Sequence, residues 1–506
     1  MGSINTLLAP DDLYNRELLQ NAHPPAWINP QPHEVYNLVV LGAGTAGLVA
    51  AAGAATLGAR VALVEERLMG GDCLNFGCVP SKAVIRASRA AYALREACEY
   101  GGNPAVEAGF DFPKAMERMR RLRAEISSHD SVHRFTSLGV KVFLGTARFT
   151  SRNMVELDGI RLKFKKAIIA TGGRPAHPNI PGLAEAGFLT NETVFSLTEL
   201  PPRLIVLGAG PVGCELAQAF QRLGSQVTIL TRGSRILPRE DPDVSSLLTE
   251  RFEHEGIRLV VEANIRRVER QDGDKVIHFT RGTSAEKAAG TEILVSVGRV
   301  PNTEGLDLEA AGVEYDAKGV RVNDRLRTTN PNIYAAGDIC SPFKFTHAAE
   351  AMARMALQNA LFFGRKKASS LVIPWTTYTD PEVAHVGLTE QEARKRGPQA
   401  KTFTLPFTDL DRAILDGETE GFARVHMDAK TKRILGATLV GSHAGESIGE
   451  LVLAMDQGLR LDALSGVMHP YPTQAEVIKR LGDASMRSRL KPWMRRMLER
   501  FFRYRR

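Results

Sequence analysis

Two copies of one strand, glycine loop and helix pattern limit the folds open to this chain more than any other feature. Tyr36-Asn37-Leu38-Val39-Val40-Leu41 runs into Gly42-Ala43-Gly44-Thr45-Ala46-Gly47 and then a small-residue helix over Leu48 to Leu57. The same grammar returns 166 residues later. Leu204-Ile205-Val206-Leu207 leads into Gly208-Ala209-Gly210-Pro211-Val212-Gly213 and a helix over Cys214 to Leu223. In such a unit the first glycine permits a tight turn and the second lets the backbone approach a pyrophosphate. The third lets helix and strand pack, while the helix N-terminus offers N–H groups and positive dipole to the phosphates. One G-x-G-x-x-G is weak evidence; two, each between strand and helix, specify an α/β chain with two dinucleotide-binding βαβ units.

Each unit should end its second strand near a residue that touches the adenosine ribose, about 20 positions past the first glycine. At an offset of 23 the first unit has Glu65, after Val61-Ala62-Leu63-Val64, and the second has Thr231, after Val227-Thr228-Ile229-Leu230. A carboxylate accepts a ribose 2′-OH but repels a 2′-phosphate. The second unit lacks it and presents Arg232 and Arg235 instead, so this site is expected to take NADPH rather than NADH.

Between the first unit and its onward helix lies Gly70-Gly71-Asp72-Cys73-Leu74-Asn75-Phe76-Gly77-Cys78-Val79-Pro80-Ser81-Lys82, with two of the five cysteines. A regular helix would hold Cα atoms five residues apart at roughly 8 to 9 Å, beyond the ~7 Å reach of a disulfide. The turn is therefore expected to be distorted at Gly77. A helix starting near Cys78 would stabilise its thiolate through its N-terminal dipole and nearby cations, which makes the two a redox pair. Cys98, Cys214 and Cys340 offer no second C-x2-4-C for a structural zinc.

With these residues the chain resembles the flavoprotein disulfide reductases, the family of glutathione reductase, dihydrolipoamide dehydrogenase and mercuric reductase, from about residue 36 to 485. Ala170-Thr171-Gly172-Gly173-Arg174-Pro175 is similar to the family's crossover out of the FAD domain, and Gly298-Arg299-Val300-Pro301-Asn302 to its counterpart after the NADPH domain. The stretch from Thr328 through Ile333-Tyr334-Ala335-Ala336-Gly337-Asp338 resembles the second FAD motif, which implies a bond from Asp338 to the ribityl chain. The resemblance implies two Rossmann-like domains, for FAD and NADPH, plus a C-terminal α+β dimerisation domain in a homodimer. It also implies that Gly42, Gly44, Gly47, Glu65 and Gly172 serve FAD, that Gly208, Gly210 and Gly213 serve NADPH, and that Lys82 and Glu215 form a flavin-side ion pair. Cys78 would face the flavin as thiolate and Cys73 would attack the substrate.

Within the family the segment His469-Pro470-Tyr471-Pro472-Thr473-Gln474-Ala475-Glu476 separates members. Glutathione and lipoamide enzymes carry a His five positions before a Glu here, a pair that moves protons for dithiol exchange. Tyr471 stands at that position relative to Glu476, and a phenol of pKa ~10 is a poor base for a thiol of pKa ~8.5. Mercuric reductases also have Tyr here, and Glu215-Leu216-Ala217-Gln218-Ala219-Phe220 reads like theirs. The resemblance thus implies a mercuric-reductase-like acceptor, Hg(II) or a similar ion held as substrate by Cys73 and Cys78. The alternatives are an unidentified disulfide, quinone or other metal, or a membrane-docked redox partner protein. Mercuric reductases end in a vicinal cysteine pair; this chain has no cysteine after Cys340. His469 is a further candidate base, or a turn residue.

Charge is concentrated at the end. The chain of 506 residues has 65 Lys+Arg against 57 Asp+Glu, yet residues 486–506 alone hold nine basic side chains and one acidic, leaving 56 of each before them. A neutral body supplies no nucleic-acid groove. After Pro492, Trp493, Met494, Met497, Leu498, Phe501 and Phe502 make an apolar stripe at helical period among arginines, a pattern suited either to an anionic membrane interface or to packing of the stripe on the dimer. No run reaches the ~18 to 20 apolar residues of a span, and no secretory signal is evident, so the expected location is cytoplasmic, with peripheral attachment to the membrane's inner face. Met1-Gly2-Ser3-Ile4-Asn5-Thr6 fits a myristoylation pattern that short motifs also meet by chance. The expected organisation is a surface extension over 1–35, the FAD-binding domain over 36–187 and 301–370, the NAD(P)H domain over 188–300, the dimerisation domain over 371–485 and the basic tail over 486–506.

Overall fold

The computed structural model describes residues 8–102 and 110–506; the myristoylation pattern lies outside them. By its internal packing the chain divides into two units, one of residues 1–234 and 255–371, the other of 235–254 and 372–506.

The first unit contains both glycine loops. Its larger sheet has parallel strands Lys141–Leu144, Val61–Glu65, Tyr36–Leu41, Ile160–Ile169 and Ile333–Ala335 side by side, and Ile160–Ile169 also pairs with a hairpin of Ala147–Ser151 and Met154–Leu157. Leu38, Val39 and Val40 are fully buried, because helices and loops cover both faces and the strand need not alternate. The second sheet is also parallel, ordered Arg258–Val260, Gln226–Leu230, Arg203–Leu207 and Glu292–Val295. A three-stranded antiparallel meander covers Asn264–Gln271, Asp274–Arg281 and Ser284–Gly290. The helices after the loops begin earlier than the apolar pattern implied, at Thr45 and Pro211, because the third glycine lies inside the first turn.

The expectation of a surface extension over the first 35 residues is corrected. Leu13–Ala22 is a helix whose N-cap, Asp12, accepts a hydrogen bond from the Asn15 N–H at 2.8 Å. Leu8, Leu18 and Ala22 are buried in the same core as Leu38 and Val40. Asp12 pairs with Arg120, and buried Asn15 accepts from Arg123 at 2.7 Å. The prolines of this segment, among them Pro10, Pro24 and Pro25, flank the helix rather than interrupt it, so they do not keep it off the core.

The second unit is a five-stranded antiparallel sheet in the order Pro374–Thr377, Glu382–Gly387, Ile434–Gly441, Phe422–Asp428 and Ala400–Pro406. Helices Ala444–Asp456 and Glu476–Arg487 bury Ile448, Leu451, Val477, Ile478 and Leu481 in its core. The helix Pro242–His254 joins this unit: Arg424 pairs with Asp243 and with Glu390 at 2.9 Å, and Trp375 donates to Glu240 at 2.6 Å. The terminal helix Pro492–Tyr504 has no buried residue, and Trp493, Met497, Phe501 and Phe502 are each about half exposed.

Candidate active site

The helix Gly71–Asn75 carries Cys73, stops at Phe76, and gives way to the helix Cys78–Glu96 through Gly77 at φ −123° and ψ −111°. That break is the expected distortion. Both cysteines are free thiols, Cys78 exposed and Cys73 half-buried. Cys78 takes the first position of a 19-residue helix, where unsatisfied amides and the helix dipole favour an anion. The Cys73 thiol donates to the Cys78 sulfur, and with Thr346 and Lys82 nearby this lowers the Cys78 thiol to about 6. Cys73 is pushed up by that same bond and by burial. One proton is therefore shared between the two sulfurs, with the negative charge resting on Cys78.

The neighbours are fixed from distant parts of the chain. Lys82 lies one helical turn beyond Cys78 and meets buried Glu215 at 2.8 Å. Glu215 sits on the helix Pro211–Leu223, which packs against Cys78–Glu96; Arg222 of that helix lies 4.0 Å from the Tyr92 ring and pairs with Glu255 at 2.6 Å in full burial. Thr346, at the start of the helix Thr346–Leu361, places its hydroxyl 3.3 Å from the Cys78 sulfur. Arg299 pairs with Asp72 at 3.2 Å and with Asp338 at 3.3 Å, and donates to the Gly173 carbonyl at 2.6 Å. This guanidinium ties the segment before Cys73 to the crossover after Gly172 and to the second FAD-like motif. Burial raises Asp338, and Arg299 opposes the rise. Thr346 and the Arg299 bridge were missed by sequence reasoning.

The glycine loops fit the groups their pattern implies. Gly42 has φ +96°, and a Cβ there would meet the Ala170 carbonyl at 2.4 Å; Gly208 repeats this at φ +105°, 2.6 Å from the Ser296 carbonyl. Added Cβ atoms at Gly47 and Gly213 would lie within 2.2 Å of the preceding loop carbonyl, so neither third glycine can be replaced. The middle glycines differ: a Cβ on Gly210 meets nothing within 4 Å, and one on Gly44 only Gly71 at 3.7 Å. That free space lies at the helix N-terminus, where a pyrophosphate would sit. Glu65 accepts from the Ala43 N–H at 2.6 Å and the Arg67 N–H at 2.8 Å, and burial raises its carboxyl. These bonds aim the carboxylate at the glycine loop and leave acceptor capacity for a ribose hydroxyl. Thr231 follows its strand, and Arg232 is exposed with no ion pair among the described residues. Arg235 is turned inward to the carbonyls of Pro238 and Glu240.

In the second unit Tyr471 and Glu476 do not bond each other. The Tyr471 hydroxyl donates to Asp411 at 2.8 Å, which raises the phenol further, and Glu476 pairs with Arg480 at 3.1 Å. His469 is held to Glu450 at 3.0 Å through Nε2, with Nδ1 3.2 Å from the Val467 carbonyl. Both ring nitrogens face acceptors. Among the described residues no three His, Cys, Asp or Glu side chains converge as a metal site, and no helix is long and apolar enough to cross a membrane.

Residues 36–353 match the pyridine nucleotide-disulphide oxidoreductase family and residues 373–481 its dimerisation domain. A mercuric reductase of Bacillus cereus is 36% identical over 89% of this chain and 72% of its own length. A dihydrolipoyl dehydrogenase of Chlamydia trachomatis is 35% identical over 88% of this chain and 96% of its own. Among solved structures, the Cu(II) complex of the HOCl-induced flavoprotein disulfide reductase RclA from Escherichia coli superposes with a TM-score of 0.81 at 28% identity, covering 89% of this chain and all of that one.

Proposed function

The chain belongs to the pyridine nucleotide-disulphide oxidoreductases, an FAD-dependent family that uses a pyridine nucleotide and carries a dimerisation domain, and from that premise we propose an NADPH-dependent reductase of a soft metal ion, with Hg(II) as the model substrate. The observation that carries this reading is the Cys73/Cys78 pair, one sulfur anionic near neutrality and the other holding the shared proton, in a chain where Tyr471 occupies the family's base position. FAD, when bound, supplies the two-electron relay between nicotinamide and the cysteine pair.

The chain's residues do the rest. Gly42, Gly44, Gly47, Glu65, Gly172 and Asp338 would hold FAD, and Gly208, Gly210, Gly213 and Arg232 the NADPH. Arg299 fixes Asp338 in place, and Lys82, held by Glu215, keeps a positive charge beside the Cys78 thiolate. Two thiolates bind a soft cation by losing the shared proton, so no acid has to protonate a leaving thiolate. Reduction of Hg(II) to Hg(0) by NADPH releases NADP+ and one proton, which balances without a partner disulfide. Disulfide substrates are the competing reading, favoured by the dihydrolipoyl dehydrogenase relative. They require a proton donor, and Tyr471 bonded to Asp411 is a weak one.

The discriminating experiment is anaerobic reduction of the FAD-loaded enzyme with NADPH, then challenge with Hg(II), oxidised glutathione, lipoamide and a quinone. Rapid reoxidation by Hg(II) alone supports the proposal, whereas reoxidation by lipoamide or quinone alone replaces it. The proposed setting is a cytoplasmic homodimer whose tail, residues 486–506, rests on an anionic membrane face through its exposed aromatic stripe and nine basic residues. Co-sedimentation should then pellet the protein with anionic but not zwitterionic liposomes; equal pelleting with both removes this part.

A further inference from the structure

A cationic cleft lies in the first unit, at the opposite end of its large sheet from the glycine loop. The loop follows Leu41 at the C-terminal end of the first strand. The cavity opens beside Asn332, just before the strand Ile333–Ala335, and beside Lys166, which stands in register with Leu38. It is a cleft of about 330 Å³ open to solvent, and four cations line it: Lys166, Arg325, Arg327 and Arg365. No carboxylate is in its wall, and none of the four makes an ion pair among the described residues. Clustered like charges with no counter-charge raise the energy of the fold, and an anion in the cavity offsets that cost.

The cluster is held by a buried frame. Asn359, 6% exposed, donates to the carbonyls of Arg325 and Lys366, each at 3.0 Å, and accepts from the Lys366 N–H at 3.1 Å. One amide thus fastens the loop bearing Arg365 to the loop bearing Arg325. The Tyr334 hydroxyl donates to the Asn359 carbonyl at 3.1 Å, and Lys166 is steadied by Pro331 and Asn332 at 3.2 and 2.9 Å. Burial and the charge of Arg327 lower the Lys166 amine. At the rim Phe363 is 96% exposed and held at φ +53°. An exposed aromatic in a left-handed conformation is costly, and such residues concentrate where a ligand is met.

We propose that this cavity binds a phosphate-bearing anion, its phosphoryl oxygens taken by Arg325, Arg327, Arg365 and Lys166, with Phe363 against the apolar part of the same molecule. Guanidinium groups match phosphate oxygens in paired geometry, and three around one cavity suit a dianionic monoester better than a carboxylate. The anion is either a free phosphate compound or the headgroup of an anionic lipid, and the chemistry is the same.

Two measurements on the full-length, FAD-loaded protein test this. The first titrates inorganic pyrophosphate calorimetrically with NADP+ saturating, so that the nucleotide loop is occupied. The second measures pelleting with phosphatidylcholine vesicles with and without phosphatidic acid. Each is repeated on Arg325→Ala/Arg327→Ala and, independently, on Lys166→Gln/Arg365→Ala, with FAD content and thermal midpoint confirming that the variants fold. Pyrophosphate binding that weakens about tenfold or more in either folded variant supports the proposal with a soluble ligand. Phosphatidate-dependent pelleting that falls in the variants, with the tail intact in all proteins, supports it with a lipid source. If neither probe binds, or both bind the variants as tightly as the parent, the proposal is overturned.

Discussion

Removing the Cys73 thiol should raise the Cys78 midpoint, because the bond from Cys73 is the largest contribution to the shift, ahead of Thr346 and Lys82. With a midpoint of about 6 rather than the ordinary 9.0, Cys78 is about nine-tenths thiolate at pH 7 instead of about one part in a hundred. In Cys73→Ala the helix N-terminus, Lys82 and the Thr346 hydroxyl remain, so the midpoint should climb only part of the way toward the ordinary 9.0. The thiolate fraction at pH 7 should then drop from about nine-tenths toward the value of about one part in a hundred for an unperturbed thiol. Lys82→Met should move the midpoint in the same direction by less. The assay is the pH dependence of iodoacetamide alkylation of the prereduced protein, with the modified residue identified by mass spectrometry; it needs neither NADPH nor an acceptor. A parent midpoint near 9, or one unchanged in Cys73→Ala, refutes the shared-proton argument. Preferential alkylation of Cys73 in the parent at pH 7 would reverse the assignment of the two sulfurs.

Arg232→Ala should cut the preference for NADPH over NADH by tenfold or more in kcat/KM, since a charge-assisted hydrogen bond is worth roughly 1.5 to 3 kcal/mol; Arg235→Ala should cost less because its guanidinium is committed to Pro238 and Glu240. Equal kcat/KM for both nucleotides in the parent would remove the basis of this expectation. Tyr471→His should raise lipoamide turnover if proton transfer limits it, and no gain would point to substrate access. Stability against pH should be nearly flat between about 4.5 and 6.5, because two buried groups of the second unit oppose each other. Burial pushes His426 down to about 4, so the unfolded chain binds the extra proton below pH 6.5 and stability falls as pH falls toward 4. Burial pushes Glu240 up to about 7, so the folded chain holds a proton the unfolded one has lost and stability falls as pH rises from 4.5 to 7. Glu240→Gln should expose the His426 slope, a rise of about 3 kcal/mol from pH 4 to 6.5 in urea titrations, and parallel profiles for parent and variant would refute this.

The parts of the fold legible in the sequence are those whose cause is local. A strand that ends on Gly42 or Gly208 has to turn within a few residues, and the third glycine has to clear the carbonyl of the first, so the spacing itself encodes the geometry. The break at Gly77 is of the same kind, because Cys73 and Cys78 cannot meet across an unbroken helix. The site's electrostatics are not local. Thr346 reaches Cys78 across 268 positions, Glu215 reaches Lys82 across 133, and Arg299 joins groups on three separate segments. Glu215 was recoverable only through a resemblance, and Thr346 carries no pattern of its own. Tyr471, at the family's base position, and His469, two residues before it, make the same point in reverse. Chemistry alone leaves Tyr471 and His469 as rivals, and the partners that engage them, Asp411 and Glu450, lie 60 and 19 positions away. The Tyr471 hydroxyl spends its proton on Asp411, and both His469 ring nitrogens face acceptors. The proposed reductase would have its proton chemistry concentrated in the Cys73/Cys78 pair, where a cation can displace one shared proton and a disulfide would need a second donor.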